Sequence, residues 1–192
     1  MPEAPPAPRV FFAIWPDAEV RQGLMRLALQ VHRQVQGKPT RADSVHMTLL
    51  FLGSTPIERL ELLAELASGV AFEAFTLDMG KIGCWKHNQV AWVAPRTTPL
   101  PLAHLVEQLE RGATARGFPV ESRPFAPHLT LVRKARCAGL DTGRGAELDA
   151  GPPRIRWDVR EFVLVRSELG QDGSRYHPIG RWPAVSQPDR DV

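Results

Sequence analysis

The chain has 192 residues, 43% of them hydrophobic and 23% charged, with a formal net charge of +3. This is the composition of one ordinary globular domain with enough apolar surface to bury a core. No apolar run reaches the roughly 18 residues of a membrane span, and the Pro- and Ala-rich start lacks the basic and apolar regions of a secretory signal. All but four of the 24 basic residues are Arg, a bias that suits phosphate recognition and that genomic base composition also produces.

Residues 1–8 (MPEAPPAP) read as a loose tail. Residues 9–15 (RVFFAIW) read as a buried strand. Asp17 caps a predicted helix running to about Gln36, with Val20, Leu24, Leu27, Val31 and Val35 at helical spacing and Gly37 suited to its end. Residues 45–52 (VHMTLLFL) form a predicted strand closed by Gly53. Thr55-Pro56-Ile57-Glu58 has the form of a capping box, opening a helix that carries Ile57, Leu60, Leu63 and Leu66 and stops at Gly69. Residues 75–82 and 90–93 read as strands around a turn at Lys86-His87-Asn88. A third helix is predicted over 101–116, and strands over 128–132 and 161–166. Residues 135–153 read as a Gly-rich polar loop, and 183–192 as a second tail. Short strands mixed with three amphipathic helices predict an α+β fold, helices packed on antiparallel sheet.

Cys84 and Cys137 stand far apart and form no CxxC. The pair supports neither a disulfide framework nor a zinc knuckle, and predicts a reducing, cytoplasmic setting.

One tetrapeptide recurs. His46-Met47-Thr48-Leu49 and His128-Leu129-Thr130-Leu131 share the form H-x-T-L, each inside an apolar run that reads as strand. Residues two apart on a strand share a face, so each copy presents an imidazole and a hydroxyl about 6–7 Å apart, backed by apolar neighbours. Either copy alone reads more readily as a satisfied core histidine than as a site. Two copies in matching local structure favour two His and two Thr converging on one cleft. Imidazoles with pKa about 6.5 hold opposite protonation states near neutral pH, so one takes a proton from a nucleophile while the other protonates a leaving oxygen. Threonine hydroxyls hold phosphate oxygens. A zinc site would need a third ligand where the sequence supplies Thr, so no metal and no cofactor is expected. His32, His87, His104 and His177 have no repeated partner and read as solvated or core residues.

The paired tetrapeptides resemble the motif of the 2H phosphoesterase superfamily. Residues 9–14 (RVFFAI), 45–53 (VHMTLLFLG), 127–133 (PHLTLVR) and 164–169 (LVRSEL), with Gly173 and Tyr176, resemble its RNA 2′,3′-cyclic phosphodiesterase branch, also called 2′-5′ RNA ligase, over almost the whole chain. The resemblance implies one bilobal domain over 9–182, two pseudo-symmetric lobes of antiparallel sheet with helices outside and a central cleft. It implies hydrolysis of RNA 2′,3′-cyclic phosphate ends to 2′-phosphomonoesters, with reverse 2′-5′ joining as a minor direction. The Arg-rich helix faces leave no large apolar stripe uncovered, so a monomer with no membrane partner is expected.

In that picture His128 is the proton acceptor that activates water and His46 the proton donor to the 3′ oxygen, roles that near-twofold symmetry lets swap. Thr48 and Thr130 bind phosphate, Arg133 contacts substrate and Phe12 stacks on a base. Strict alternation points Arg133 away from His128 and Thr130, so it reaches the cleft only if the strand ends or bulges near Val132. Phe11 and Phe12 are adjacent, so one of them must face the core. Cys84-Trp85 departs from the Phe-Pro-like pair usual in the family. Arg123, Arg133, Lys134 and Arg136 form a basic set that reads either as steering a phosphate polymer or as an ordinary solvated loop. Other substrates fit the same four residues: a small cyclic nucleotide, an ADP-ribose cyclic phosphate or a 2′-5′ oligoadenylate. A different class, a non-catalytic module that binds RNA ends, keeps the cleft without turnover.

Overall fold

In the computed structural model, which describes residues 7–137, 155–170 and 173–185, every strand joins one antiparallel sheet. The strands are β1 (Arg9–Ile14), β2 (Lys38–Pro39), β3 (Met47–Ser54), β4 (Phe75–Trp85), β5 (Val90–Pro95), β6 (Leu129–Arg133), β7 (Ile155–Val159), β8 (Glu161–Gly170) and β9 (Gly173–Pro183). Their order is β7-β4-β5-β6-β3-β1-β8-β9, with the short β2 added beside β6. The helices are α1 (Ala18–Val35), α2 (Leu60–Ser68) and α3 (Leu100–Ala115).

The sheet order is symmetric about the β6–β3 junction, with β5-β4-β7 on one side and β1-β8-β9 on the other. These are the two expected lobes. α1 follows β1 but packs on β6 and β7, and α3 follows β5 but packs on β3. Each lobe's second strand therefore sends its helix across to cover the other lobe.

Local chemistry accounts for the elements. Asp17 caps α1, its carboxylate accepting from the Val20 N–H at 2.9 Å. The helical stripe Val20, Leu24, Leu27, Val31 and Val35 is buried as its spacing predicts. α2 differs from expectation. Ile57–Arg59 forms a 3₁₀ turn with no side-chain cap, and Thr55 instead lies buried with its N–H bonded to the Pro8 carbonyl at 2.9 Å. That tie to the start of β1 takes Thr55 out of the capping position. β2, β7 and β9 have no counterpart among the predicted strands, and the expected tail from 183 stays tied to the fold as far as Val185, whose N–H donates to the Phe72 carbonyl at 2.9 Å. The predicted loop over 135–153 lies, from residue 138 on, outside the described residues.

The helix-covered face carries the main core, with Phe12, Ile14, Leu24, Met47 and Trp157 among its largest members. The opposite face carries two small apolar clusters, one in each lobe. Phe11, Ala13, Val163 and Val165 form the first, with Trp15, Phe51 and Tyr176 against them. Val90, Trp92 and Ala94 form the second, with Trp85 against them. Gly83 makes room for the Trp92 ring, which a Cβ there would overlap.

Against the expectation of two unpaired thiols, Cys84 and Cys137 are joined in a disulfide, their Cα atoms 5.9 Å apart. Sequence distance hid this pairing. β5 lies between β4 and β6, so the chain leaving β6 passes the end of β4, held there by the Ala135 N–H on the Gln89 carbonyl at 2.9 Å. The bridge spans 53 residues, a loop worth about 4 kcal/mol of unfolded-state entropy. Reductant should therefore lower Tm by about 10 °C, and Cys137→Ser should show the lower Tm with or without reductant. A Tm of the wild-type chain indifferent to reductant in calorimetry contradicts this.

Candidate active site

β3 and β6 meet only by their first residues, Met47 paired with Leu129, and run apart in opposite directions. Continuing that antiparallel register by one residue sets His46 across from Thr130 and His128 across from Thr48. The alternation holds around the junction. Val45, Met47, Leu49, Leu129 and Leu131 are buried, while His46, Thr48, His128 and Thr130 are half-buried on the other face. The divergence of the two strands opens a central cavity of about 220 Å³ that all four side chains line, together with Thr40, Ser44 and Arg133.

The two imidazoles are held alike. His46 Nδ1 lies 2.8 Å from the Ser44 carbonyl, and His128 Nδ1 lies 2.8 Å from the Ala126 carbonyl. A carbonyl only accepts, so each Nδ1 carries hydrogen and each ring keeps Nε2 free. Each ring also rests on its lobe's apolar cluster. Phe11 and Trp15 stack on His46, both at 4.9 Å between centroids, and Tyr176 meets it edge-on at 4.9 Å. Trp85 meets His128 edge-on at 4.6 Å. This burial pushes the His46 pKa down to about 4, with further lowering from the Arg133 and His128 charges. His128 is lowered by burial and by Arg133. Both rings are therefore neutral in the free protein at neutral pH, and a negative charge placed between them would raise the pKa of either.

Arg133 lies at the cavity because β6 is bulged. Ala91 pairs with Val132 but Trp92 pairs with Thr130, which leaves Leu131 as an extra residue. Leu131 and Val132 are both buried, so Arg133 returns to the face of Thr130. Gly37 helps to shape this end, since its φ of +89° is left-handed and a Cβ would come within 2.5 Å of the Arg133 carbonyl. Thr40 Oγ1 is buried with no hydrogen-bond partner among the described residues, and its side chain lines the same cavity.

Phe12 is a correction. It is fully buried among Phe162 and Trp182, on the core face, and no base can reach it. In β1 the residues Val10, Phe12 and Ile14 face the helices, and Phe11 is the aromatic on the cleft side. Sequence reasoning also missed Trp15, Tyr176 and Trp85 as neighbours of the imidazoles and Thr40 as part of the cavity wall. Tyr176 gave a signal within the family resemblance, and Trp85 as a departure from the family pattern. Among the described residues, no group of three His, Cys, Asp or Glu is placed to hold a metal ion.

A second cavity of about 390 Å³ adjoins the first on the His128 side. Thr48, Trp85, Asn88 and His128 line both.

Known proteins resemble the chain in sequence and in fold. The sequence profile of the 2′-5′ RNA ligase superfamily matches residues 15–171. The chain is 34% identical to the RNA 2′,3′-cyclic phosphodiesterase of Escherichia coli over 176 residues, 91% of this chain and 95% of that one. It is 31% identical to the protein of the same name from Thermus thermophilus, over 95% of this chain and 93% of that one. Among solved structures, E. coli LigT complexed with 3′-AMP superimposes with a TM-score of 0.82 at 32% identity, covering 93% of this chain and 99% of that one.

Proposed function

The chain belongs to the 2′-5′ RNA ligase superfamily, among the 2H phosphoesterases, and on that premise we propose that it opens RNA 2′,3′-cyclic phosphate ends to 2′-phosphomonoesters with His46 and His128 as its acid–base pair. The observation that carries the reading is the matched pair of imidazoles, both fixed through Nδ1, on one shared cavity with Thr48, Thr130 and Arg133.

The cyclic phosphate sits between the two free Nε2 atoms. Its negative charge and the Arg133 guanidinium offset one another, and the threonine hydroxyls donate to its non-bridging oxygens. The anion raises the pKa of the ring that becomes the acid. His128, which faces both cavities, takes the proton of a water entering from the outer side. The water oxygen bonds to phosphorus, the P–O3′ bond breaks and His46 gives its proton to O3′. The 2′-ester bond remains. Afterwards His128 is charged and His46 neutral, and exchange with solvent resets the pair. No step calls on a metal ion. One chain supplies every residue of this reaction, so the reading keeps the monomer expected from the sequence.

The direct test is product analysis. Incubation of the full chain with an oligoribonucleotide ending in 2′,3′-cyclic phosphate should give the 2′-phosphate, read by digestion and chromatography. A 3′-phosphate would assign the wrong bond, and absence of turnover would leave a binding module. A further expectation concerns Arg133, whose charge lowers both imidazoles. Arg133→Gln should reduce kcat/KM about 10–100-fold, the worth of a hydrogen bond to a charged group. It should also move the acid limb of the pH profile to higher pH, since the base then keeps its proton longer. An unmoved limb contradicts the placement of that charge.

A further inference from the structure

We infer that Thr40 supplies a third hydroxyl to the phosphate site, turned onto a non-bridging oxygen beside Arg133 when substrate binds. This rests on the cyclic-phosphate reading and adds to it a binding residue from outside the two tetrapeptides.

The backbone puts Thr40 at the site. Lys38 pairs with Arg133 and Pro39 with Val132, while β5 pairs with the same two residues of β6 from the other flank. β2 therefore lies on the β3 side of β6, in the gap that opens as those two strands run apart. Thr40 continues the run, its N–H donating to the Leu131 carbonyl at 2.8 Å. Paired residues share a face and alternate residues return to it, so Thr40 stands on the face of Lys38 and Arg133. That face borders the inner cavity, and Thr40 lines it.

Its hydroxyl is uncommitted. Four buried side-chain polar atoms have no hydrogen-bond partner among the described residues: His32 Nδ1, Thr40 Oγ1, Trp92 Nε1 and Arg166 Nε. Of these four residues, Thr40 alone lines the cavity that holds both imidazoles. Ser44 lines it too, but its hydroxyl already donates to the Asp43 carboxylate at 2.8 Å. A buried hydroxyl without a partner is costly to the free protein. Thr40 as a whole is half-buried, and a turn about χ1 exchanges its hydroxyl with a methyl of nearly the same size. An acceptor in the cavity relieves the cost.

The charge of the cavity says which acceptor. Phe51 stands before Arg133 at the spacing that separates the two histidines, so the first lobe offers an apolar ring where the second offers a guanidinium. The anionic oxygens of the phosphate are drawn to the β2–β6 end, where Thr40 is. Two non-bridging oxygens have lone pairs enough for Arg133 and three hydroxyls. No bond forms or breaks at Thr40; its hydrogen bond strengthens as charge builds on the oxygen it holds.

The test compares the full chain with Thr40→Val and Thr40→Ser. The readouts are melting, calorimetric binding of adenosine 2′-phosphate, and turnover of an oligoribonucleotide 2′,3′-cyclic phosphate. Valine keeps the shape and removes the hydroxyl. Thr40→Val should raise the Tm of the free protein by about 2–4 °C, yet weaken both nucleotide binding and kcat/KM about tenfold. Thr40→Ser keeps the hydroxyl and should hold both within about threefold of the wild type. A Tm that falls in Thr40→Val gives the hydroxyl a partner inside the protein and overturns the inference. Undiminished binding in Thr40→Val, or an equal loss in both variants, overturns it as well. If the wild type binds the 2′-phosphate but leaves the cyclic end intact, the reaction is refuted, and the binding arm still decides the Thr40 contact. If the wild type opens the cyclic end and Thr40→Val does so equally well, Thr40 falls and the reaction stands.

Discussion

Replacing His46 or His128 by alanine should lower turnover of an RNA 2′,3′-cyclic phosphate by about 10²–10⁴-fold, the worth of one positioned acid or base. Each ring is held by a single Nδ1 hydrogen bond to a backbone carbonyl two residues back. A glutamine replacement, which fills the site without titrating, should therefore fare no better than alanine. The two losses should also differ in form. A base must be unprotonated, so His128→Ala should remove the acid limb of the kcat/KM profile. An acid must be protonated, so His46→Ala should remove the alkaline limb. His46, whose pKa is about 4 in the free protein, serves as the acid only once the substrate anion has raised that value. Interchanged limbs would swap the two roles and leave the constellation intact. Full activity in either variant would remove that residue from the reaction.

Thr48→Val and Thr130→Val should each reduce kcat by about 10²-fold, in line with loss of one donor to a developing oxyanion. Valine keeps the β-branched shape that a strand favours, and both residues stand on the half-buried face at the β3–β6 junction. The variants should therefore melt close to the wild type. The hydroxyls sit diagonally, each across from the other strand's histidine, so the proposed reaction has them contact the group between the imidazoles rather than the rest of the RNA. Their loss should appear in kcat more than in KM. A KM effect with unchanged kcat, in steady-state kinetics on one defined oligonucleotide, would make them anchors of the ground state only.

Much of this was legible in the sequence because it is local. The period-two alternation of His46 and Thr48 against Met47 and Leu49, repeated at 128–131, put the four polar side chains on one face, and the strands keep that arrangement. The Asp17 cap and the apolar stripe of α1 were equally readable. Arg133 was legible only as a condition, since one residue of bulge decides its face, and that bulge depends on pairing with β5. The choice between Phe11 and Phe12 failed for a related reason. Two adjacent aromatics fit either register, and the pairing of β1 with both β3 and β8 settled which one meets the helices. The disulfide, the aromatic setting of His46 and the outer cavity are all built from segments remote in sequence. No spacing rule could expose them.

The central claim is that two imidazoles serve one bound phosphate. Nitrogen NMR of the ring resonances at neutral pH tests it, with and without a saturating nucleoside 2′-phosphate. The free protein should show both His46 and His128 neutral, with hydrogen on Nδ1. The complex should shift Nε2 of both rings and add a proton to at least one. A response confined to a single ring, or to neither, would contradict a shared phosphate.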